Sequence, residues 1–266
     1  MHATPGWIAM SRSSASARYL ATPDGAGYLI YVNKSTLYAV PFDITMLETR
    51  GDAVPIVDDV ASENLSGVGQ FDVSLAGMLI YRRDTGRGSS LNTLQWVGAN
   101  GGRESLPAAP ASFLGPRVSP DGTRVALFAV GRQGTNVVIY EPQRDVTTQV
   151  TSTIQDNWPS WSPDGRHVVF RRAGVGLLQA RSDGSRQPHV LVPDSVGLGS
   201  GQFTSDGRRL AYTSTATGTQ QIWTVPIEDR GGELHAGTPE PFLKSQFIDS
   251  APQFSPDGRW LAYQSP

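Results

Sequence analysis

The chain has 266 residues, a formal net charge of −2, 38% hydrophobic and 17% charged residues, and no cysteine. This composition suits a globular protein with a buried core, and the lack of cysteine excludes disulfides, thiolate nucleophiles and zinc–thiolate sites. A nucleic-acid partner is not expected, because nucleic-acid-binding surfaces normally carry a basic excess.

The first seven residues contain neither the basic region nor the apolar region of a signal peptide. No window approaches the roughly 18 apolar residues of a membrane-spanning helix, so no membrane span is predicted in this segment. The compartment stays open, because a mature form or a fragment of an exported protein would have the same features.

A turn motif recurs along the chain, and its clearest copy is Ser162-Pro163-Asp164-Gly165. The glycine that ends each copy is called the anchor glycine. The anchors are Gly25, Gly77, Gly122, Gly165, Gly207 and Gly258, at spacings of 52, 45, 43, 42 and 51 residues. Helical periodicity is lacking between them, and short apolar runs bounded by Gly, Pro, Asp and Ser are typical of strands. Repeats of roughly 40–50 residues with this content indicate four-stranded propeller blades.

The repeat predicts an all-β fold: a six-bladed β-propeller of four-stranded antiparallel blades, forming one domain over residues 1–266. The last blade is expected to be incomplete, because only three residues follow Tyr263. Either residues 7–10 supply a strand that closes the ring, or the chain is a fragment of a longer protein. An apolar residue four positions before the anchor is expected to fill the contact between neighbouring blades, as Trp161 does in the fourth unit.

These residues resemble the TolB-type, WD-repeat-like β-propellers. The pattern S-P-D-G-[RT]-x-[VL]-[VA]-[FYL] matches at 119–127, 162–170 and 255–263, and residues 204–212 match with Ser205 in place of Pro. Residues 27–43 are similar to propellers fused to bacterial receptor-type serine/threonine kinases. The resemblance implies a toroid with a central channel that binds peptides or proteins, and it favours a periplasmic or extracytoplasmic location.

The repeated acids of the turns are interpreted as structural. Asp residues in such turns accept hydrogen bonds from the backbone two residues on, and each acid belongs to a different blade. The four histidines do not cluster, and His167 is interpreted as a solvated strand residue. Arg171 and Arg172 are interpreted as an exposed basic pair. No catalytic or phosphate-binding motif occurs, so no catalytic residue and no metal ligand are predicted.

The candidate site is taken from positions where the blades differ. Asp156 and Asp249 both lie nine residues before their anchor, in segments that enter inner strands and surround one mouth of the channel. Together with Asn157 and Trp158, they are predicted to contact a basic or peptide ligand. The alternative is that both acids only cap turns.

A second set of candidates lies five residues before the anchors. By strand alternation these polar residues are predicted to line the channel. They are Asp72, Arg117, Ser160, Gln202 and Gln253.

The sequence therefore favours a non-enzymatic propeller that binds a protein or peptide, as a sensor or interaction domain of a bacterial protein. No cofactor is predicted, although a Ca²⁺ or similar cation in the channel stays open. The alternative is a propeller-type hydrolase or lyase with a metal in the central channel. A further alternative is the gating propeller of a prolyl-oligopeptidase-type peptidase.

Overall fold

A computed structural model describes residues 17–22, 26–62, 69–74, 77–83, 94–97, 102–108, 111–131, 134–152, 155–193, 199, 201–243, 246–255 and 257–265. Within these ranges the chain forms 24 strands in six antiparallel sheets, with no helix. Accordingly, the described residues include no helix of the length and apolarity needed to cross a membrane.

The sheets follow one another along the chain and are numbered one to six. Sheet one contains β1 (Ala17–Ala21), β2 (Gly27–Asn33), β3 (Thr36–Asp43), β4 (Glu48–Thr49) and β5 (Val54–Val57). Sheet two contains β6 (Phe71–Val73), β7 (Leu79–Tyr81), β8 (Gln95–Val97) and β9 (Arg103–Ser105). Sheet three contains β10 (Phe113–Val118), β11 (Val125–Gly131), β12 (Gly134–Glu141) and β13 (Val146–Gln149).

The remaining sheets repeat this order. Sheet four contains β14 (Asp156–Trp161), β15 (His167–Arg172), β16 (Gly176–Arg181) and β17 (His189–Pro193). Sheet five contains β18 (Gln202–Phe203), β19 (Arg209–Ser214), β20 (Gln221–Arg230), β21 (Glu233–Ala236) and β22 (Glu240–Pro241). Sheet six contains β23 (Ser250–Phe254) and β24 (Leu261–Gln264).

The predicted all-β propeller of four-stranded antiparallel blades is confirmed. Sheets one to five are complete blades of four or five strands, one fewer than the six predicted, and the described part of the sixth unit is a two-stranded sheet. The expectation was that this last blade is either incomplete or closed by a strand from residues 7–10, and residues 7–10 lie outside the described residues.

Each motif turn joins the first strand of a sheet to the second, and its aspartate is used inside the turn. In sheet four, the Asp164 carboxylate accepts hydrogen bonds from the Ser162 hydroxyl at 2.5 Å and from the Arg166 amide at 3.0 Å. Gly165 follows at φ 67°, a left-handed conformation that favours glycine. The same bonds to the aspartate recur in the turns of Asp121, Asp206 and Asp257, which supports the structural interpretation of these acids.

The ionised form of Asp164 is held by this turn. Burial alone would raise its pKa, but the hydrogen bonds from Ser162 and Arg166 and the charge of Arg166 outweigh burial and lower the pKa from 3.8 to about 2. Because the folded-state pKa lies below the unfolded value, the ionised carboxylate stabilises the fold above pH 3.8. That contribution is lost as the pH falls through the folded-state value.

We expect this linkage to appear in Asp164→Asn, which keeps a side-chain acceptor but cannot ionise. The difference in unfolding free energy between wild type and variant should be constant above about pH 5 and should shrink as the pH falls toward about 3. Urea titrations at a series of pH values measure this difference. A difference that does not change with pH would contradict the assignment.

Apolar side chains fill the spaces between successive sheets, as predicted. Trp161 packs with Ala126 and Ile139 of sheet three and with Val168 and Leu178 of its own sheet. The equivalent positions are Val118 between sheets two and three and Phe203 between sheets four and five. Burying this apolar surface fixes the angle between neighbouring sheets and is the main stabilising contribution to the ring.

Tyr19 of sheet one lies near the turn of sheet six. Tyr19 pairs with Leu29 as Val118 pairs with Val125, so Tyr19 occupies the position that faces the preceding sheet. Burial raises the pKa of Tyr19, and the negative charge of Asp257, in the turn of sheet six, raises it further. The two ends of the described chain are therefore neighbours.

The inner strands of sheets three, four and six contain a β-bulge at the same place. The register shifts between Leu114 and Arg117, between Asn157 and Ser160, and between Ser250 and Gln253. Seven residues before the anchor, each has a residue with left-handed φ: Gly115 at 57°, Trp158 at 55° and Ala251 at 52°. Bulges of this kind redirect the side chains of a strand, and the candidate site depends on this redirection.

His167 does not match its prediction as a solvated residue. Its side chain is buried, and Nε2 lies 3.0 Å from the carbonyl oxygen of Gly232, in the β20–β21 hairpin of the next sheet. The long β20–β21 hairpin of the next sheet reaches over this position and buries the imidazole.

Candidate functional site

Register pairing shows that one polar residue of each inner strand occupies an equivalent position, called here the ring position. The predicted members pair as Asp72↔Ile80, Arg117↔Ala126, Ser160↔Val169, Gln202↔Ala211 and Gln253↔Ala262. All are buried or half-buried. These equivalent positions agree with the expected common strand position, and their place along the channel stays a prediction.

Sheet one contributes a sixth member, Arg18, which the sequence reasoning missed. Arg18 pairs with Ile30, the residue that faces sheet two as Ile80 faces sheet three. Counting five residues back from Gly25 gives Leu20, because Arg18 and its partner Ile30 are 12 residues apart, whereas Arg117 and Ala126 are 9 apart. Only the strand register identifies Arg18.

The charged residues of the ring position all lie on sheets one to three, which form one side of the ring. Arg18 Nε donates to Asp72 Oδ1 at 3.3 Å, and their side chains are 12% and 13% exposed. Asp72 Oδ2 accepts the backbone amide of Val118 at 2.9 Å. Asp72 therefore links sheets one, two and three, and most of its hydrogen-bonding capacity is used.

Arg117 is the group in this ring with the most unused donors. Its Nη1 donates to the carbonyl of Pro116 at 2.9 Å, and its remaining N–H groups have no acceptor among the described residues. Burial and, to a smaller extent, the charge of Arg18 lower its pKa from 12.5 to about 10, and Asp72 acts in the opposite sense. Two guanidinium groups and one carboxylate leave this side of the channel positively charged.

The opposite side of the ring position is polar and uncharged. Ser160, Gln202 and Gln253 hold these places in sheets four, five and six. The buried Gln202 Oε1 has no hydrogen-bond partner among the described residues. This side offers amide and hydroxyl groups that can both donate and accept.

Asp156 lies at the start of β14 with its side chain fully buried. Arg172 of β15 binds it in a bidentate ion pair, with Nε–Oδ1 at 2.7 Å and Nη2–Oδ2 at 2.9 Å. The prediction that Arg171 and Arg172 form an exposed basic pair is therefore wrong for Arg172, because its guanidinium binds Asp156 within the blade. A contact between Asp156 and a ligand stays a prediction.

Asn157 and Trp158 follow Asp156 into the bulge. The buried Asn157 Oδ1 has no hydrogen-bond partner among the described residues. Trp158 is half-buried and packs across the sheet boundary on Phe128, with ring centroids 5.3 Å apart. A left-handed φ is unusual for so large a side chain, and strain of this kind is concentrated at functional sites.

Asp249 occupies the position of Asp156 in sheet six but lacks an ion-pair partner. Its side chain is 0% exposed, and neither Oδ1 nor Oδ2 has a hydrogen-bond partner in the part of the chain that the structure describes. Its amide donates to the Gln220 carbonyl at 3.0 Å, which fixes the backbone against the β19–β20 hairpin.

No group of three or more His, Asp or Glu side chains is placed to hold a metal ion within the described ranges. The side chains of the ring position are one carboxylate, two guanidinium groups, two amides and one hydroxyl. Guanidinium groups repel a cation, so this donor set does not fit a divalent metal at the charged side.

No family model matches the chain. The uncharacterized protein Atu1656 of Agrobacterium fabrum is 24% identical over 152 residues, which are 56% of this chain and 49% of that protein. The match therefore spans about half the length of this curated relative.

Solved structures match nearly the whole chain. The putative TolB from Agrobacterium tumefaciens has a TM-score of 0.65 at 18% identity and covers 94% of this chain and 89% of that chain. The fold is a β-propeller similar to that of TolB. TolB from Acinetobacter baumannii matches this propeller with a TM-score of 0.56 at 18% identity, over 88% of this chain and 61% of that chain.

Propellers that are enzymes match the same fold. An oligogalacturonate lyase in complex with manganese has a TM-score of 0.58 at 12% identity, over 91% of this chain and 76% of that chain. The shared fold therefore does not by itself indicate a function.

Proposed function

We propose that this TolB-type propeller is a non-enzymatic binding domain that holds a peptide segment of a protein partner in its channel. The observation that carries the proposal is the ring position, where Arg117 has unused N–H donors beside the Arg18–Asp72 pair. A binding site needs a few convergent polar groups on a rigid scaffold, and the inner strands supply them.

The chemistry of this site favours a ligand that brings acceptor oxygens. A carboxylate or a pair of peptide carbonyls facing Arg117 would supply the acceptors that the protein does not, and would reduce the repulsion between Arg117 and Arg18. On the opposite side, Gln202 and Gln253 have the amide groups that pair with a peptide backbone. Trp158 adds an aromatic surface near the mouth.

Selection of a displayed random-peptide library on the immobilised wild-type protein tests the proposal. Selected peptides should bind Arg117→Met about tenfold to a hundredfold more weakly, because they lose a charged hydrogen bond in a desolvated site. Arg144→Met is the matched control, since Arg144 is exposed and pairs only with Glu141. Thermal unfolding of both variants verifies that each is folded. Peptides that bind the wild type and Arg117→Met equally would refute the channel site.

The enzyme alternative rests on the lyase and has its own test. The wild-type protein is incubated with manganese or calcium and with oligogalacturonate, and the unsaturated product is followed by ultraviolet absorbance. We expect no turnover. Product formation that disappears on chelation of the metal would replace the binding function with a metal-dependent one.

We also propose that the domain acts as the sensor or interaction part of a bacterial protein outside the cytoplasm, following the kinase-linked resemblance of residues 27–43. Reading the gene on both sides of this segment tests this role. An encoded kinase domain with a membrane span would support it, and an encoded hydrolase domain would overturn it.

A further inference from the structure

The buried carboxylate of Asp249 is half of an ion pair whose other half is missing from the described chain. Sheet four shows the complete form: Asp156 pairs with Arg172 across β14 and β15. The last register pair of sheet six is Ser250↔Gln264, so the next residues along, Asp249 and Ser265, occupy the places of Asp156 and Arg172. Where sheet four has a guanidinium, sheet six has a serine.

A buried carboxylate without a partner is unfavourable, because it loses its hydration and gains nothing in return. The position of Asp249 is nevertheless well determined. Its backbone is held by hydrogen bonds in both directions with Gln220, at 3.0 Å and 3.3 Å. Burial raises the pKa of Tyr263, and the nearby charge of Asp249 raises it further.

The chain next to Asp249 exposes apolar side chains. The preceding residues, Phe247 and Ile248, are 51% and 59% exposed. On the other side, Ser265 is exposed. An arginine side chain entering past Ser265 would lay its methylene groups on Phe247 and Ile248 while its guanidinium replaced the missing half of the pair.

We propose that Asp249 is a recognition site for an arginine side chain of a bound peptide or protein. This proposal shares with the proposed function only the kind of partner, a peptide or protein, because the site uses none of the ring-position residues. A bidentate guanidinium is favoured over an ammonium group or a metal ion because the same fold already binds a guanidinium at Asp156 in this geometry.

Isothermal titration calorimetry of the wild-type protein tests the site. The probes are the blocked peptide acetyl-Leu-Arg-Leu-amide, its citrulline analogue, free L-arginine, and calcium chloride. We expect saturable binding of the arginine peptide and binding about tenfold or more weaker for citrulline, which has the same shape without charge. Tight binding of free arginine with no gain from the peptide would assign the site to a small molecule and overturn the partner. Binding of calcium alone would overturn the guanidinium.

Three variants locate the binding. Asp249→Asn should lose the arginine peptide and should itself unfold at a higher temperature, because it removes an unpaired buried charge. Asp59→Asn is the control, since Asp59 is exposed and pairs with Arg83, and it should bind as the wild type does. Ser265→Arg should raise the unfolding temperature and abolish peptide binding by restoring the pair internally.

The combination of Asp249→Asn with Ser265→Arg tests whether the stabilisation by Ser265→Arg requires the Asp249 carboxylate. We expect the gain in unfolding temperature from Ser265→Arg to disappear in the combined variant. Unchanged peptide binding in Ser265→Arg would refute the site. Peptide binding that Asp249→Asn abolishes but Arg117→Met preserves would support this site independently of the channel.

Discussion

Replacing Arg172 with Met is expected to lower the free energy of unfolding by about 3–5 kcal/mol. The substitution keeps most of the side-chain volume but removes the guanidinium that binds the fully buried Asp156 through two hydrogen bonds. What costs free energy is the charge left behind, because Asp156 has already lost its hydration.

Urea denaturation measures this change, with two companion variants as controls. Arg144→Met removes an arginine from an exposed pair with Glu141 and should cost less than about 1 kcal/mol. Asp156→Leu combined with Arg172→Met removes both charges and should recover most of the lost stability. A single Arg172→Met variant as stable as the wild type would show that the buried carboxylate does not depend on this arginine.

Trp161→Ala is expected to be destabilising by about 3–5 kcal/mol, the cost of a large cavity in a packed core. Trp161 fills the boundary between sheets three and four, and its Nε1 donates to the carbonyl of Arg117 at 2.9 Å. Arg124 lies over its ring at 4.8 Å and donates onward to the Gly165 carbonyl. One side chain therefore joins two sheets by packing, by a hydrogen bond and by a cation–π contact.

Trp161→Phe separates these contributions. It keeps an aromatic face under Arg124 and most of the packing, but it leaves the carbonyl of Arg117 without its donor, so we expect a loss nearer 1–2 kcal/mol, roughly the cost of an unmade hydrogen bond. Chemical denaturation of the two variants gives both values. Equal losses for Phe and Ala would mean that the hydrogen bond, and not the packing, holds the two sheets together.

The fold was predictable because the same short sequence features recur in each repeat unit. The Asp–Gly turn, the apolar residue four positions before it and the strand after it each follow from short-range physics, as the hydrogen bonds of Asp164 show. The outer part of each blade was less predictable, because the third and fourth strands vary in sequence. Their pairing shows five complete sheets among the described residues.

The candidate site was predictable in part. The ring position was found at Asp72 and Arg117, because alternation holds over the short distance from the turn. The difference between Asp156 and Asp249 was also readable, since the residue seven positions after the anchor is Arg172 in one unit and Ser265 in the other. What the sequence did not show was that both acids are buried.

The bulge explains why their burial was missed, and it limits how this repeat can be re-engineered. Two residues of the inner strand of sheet four, Trp158 and Pro159, lie opposite a single residue of β15, so Asp156 and Trp161 share a face although they are an odd number apart. When residues are counted from the anchor glycine, those before the bulge therefore alternate in the opposite sense to those after it. A binding specificity could be transferred between blades by substitutions between the bulge and the turn. A substitution placed by the same count before the bulge would direct its side chain against the neighbouring blade.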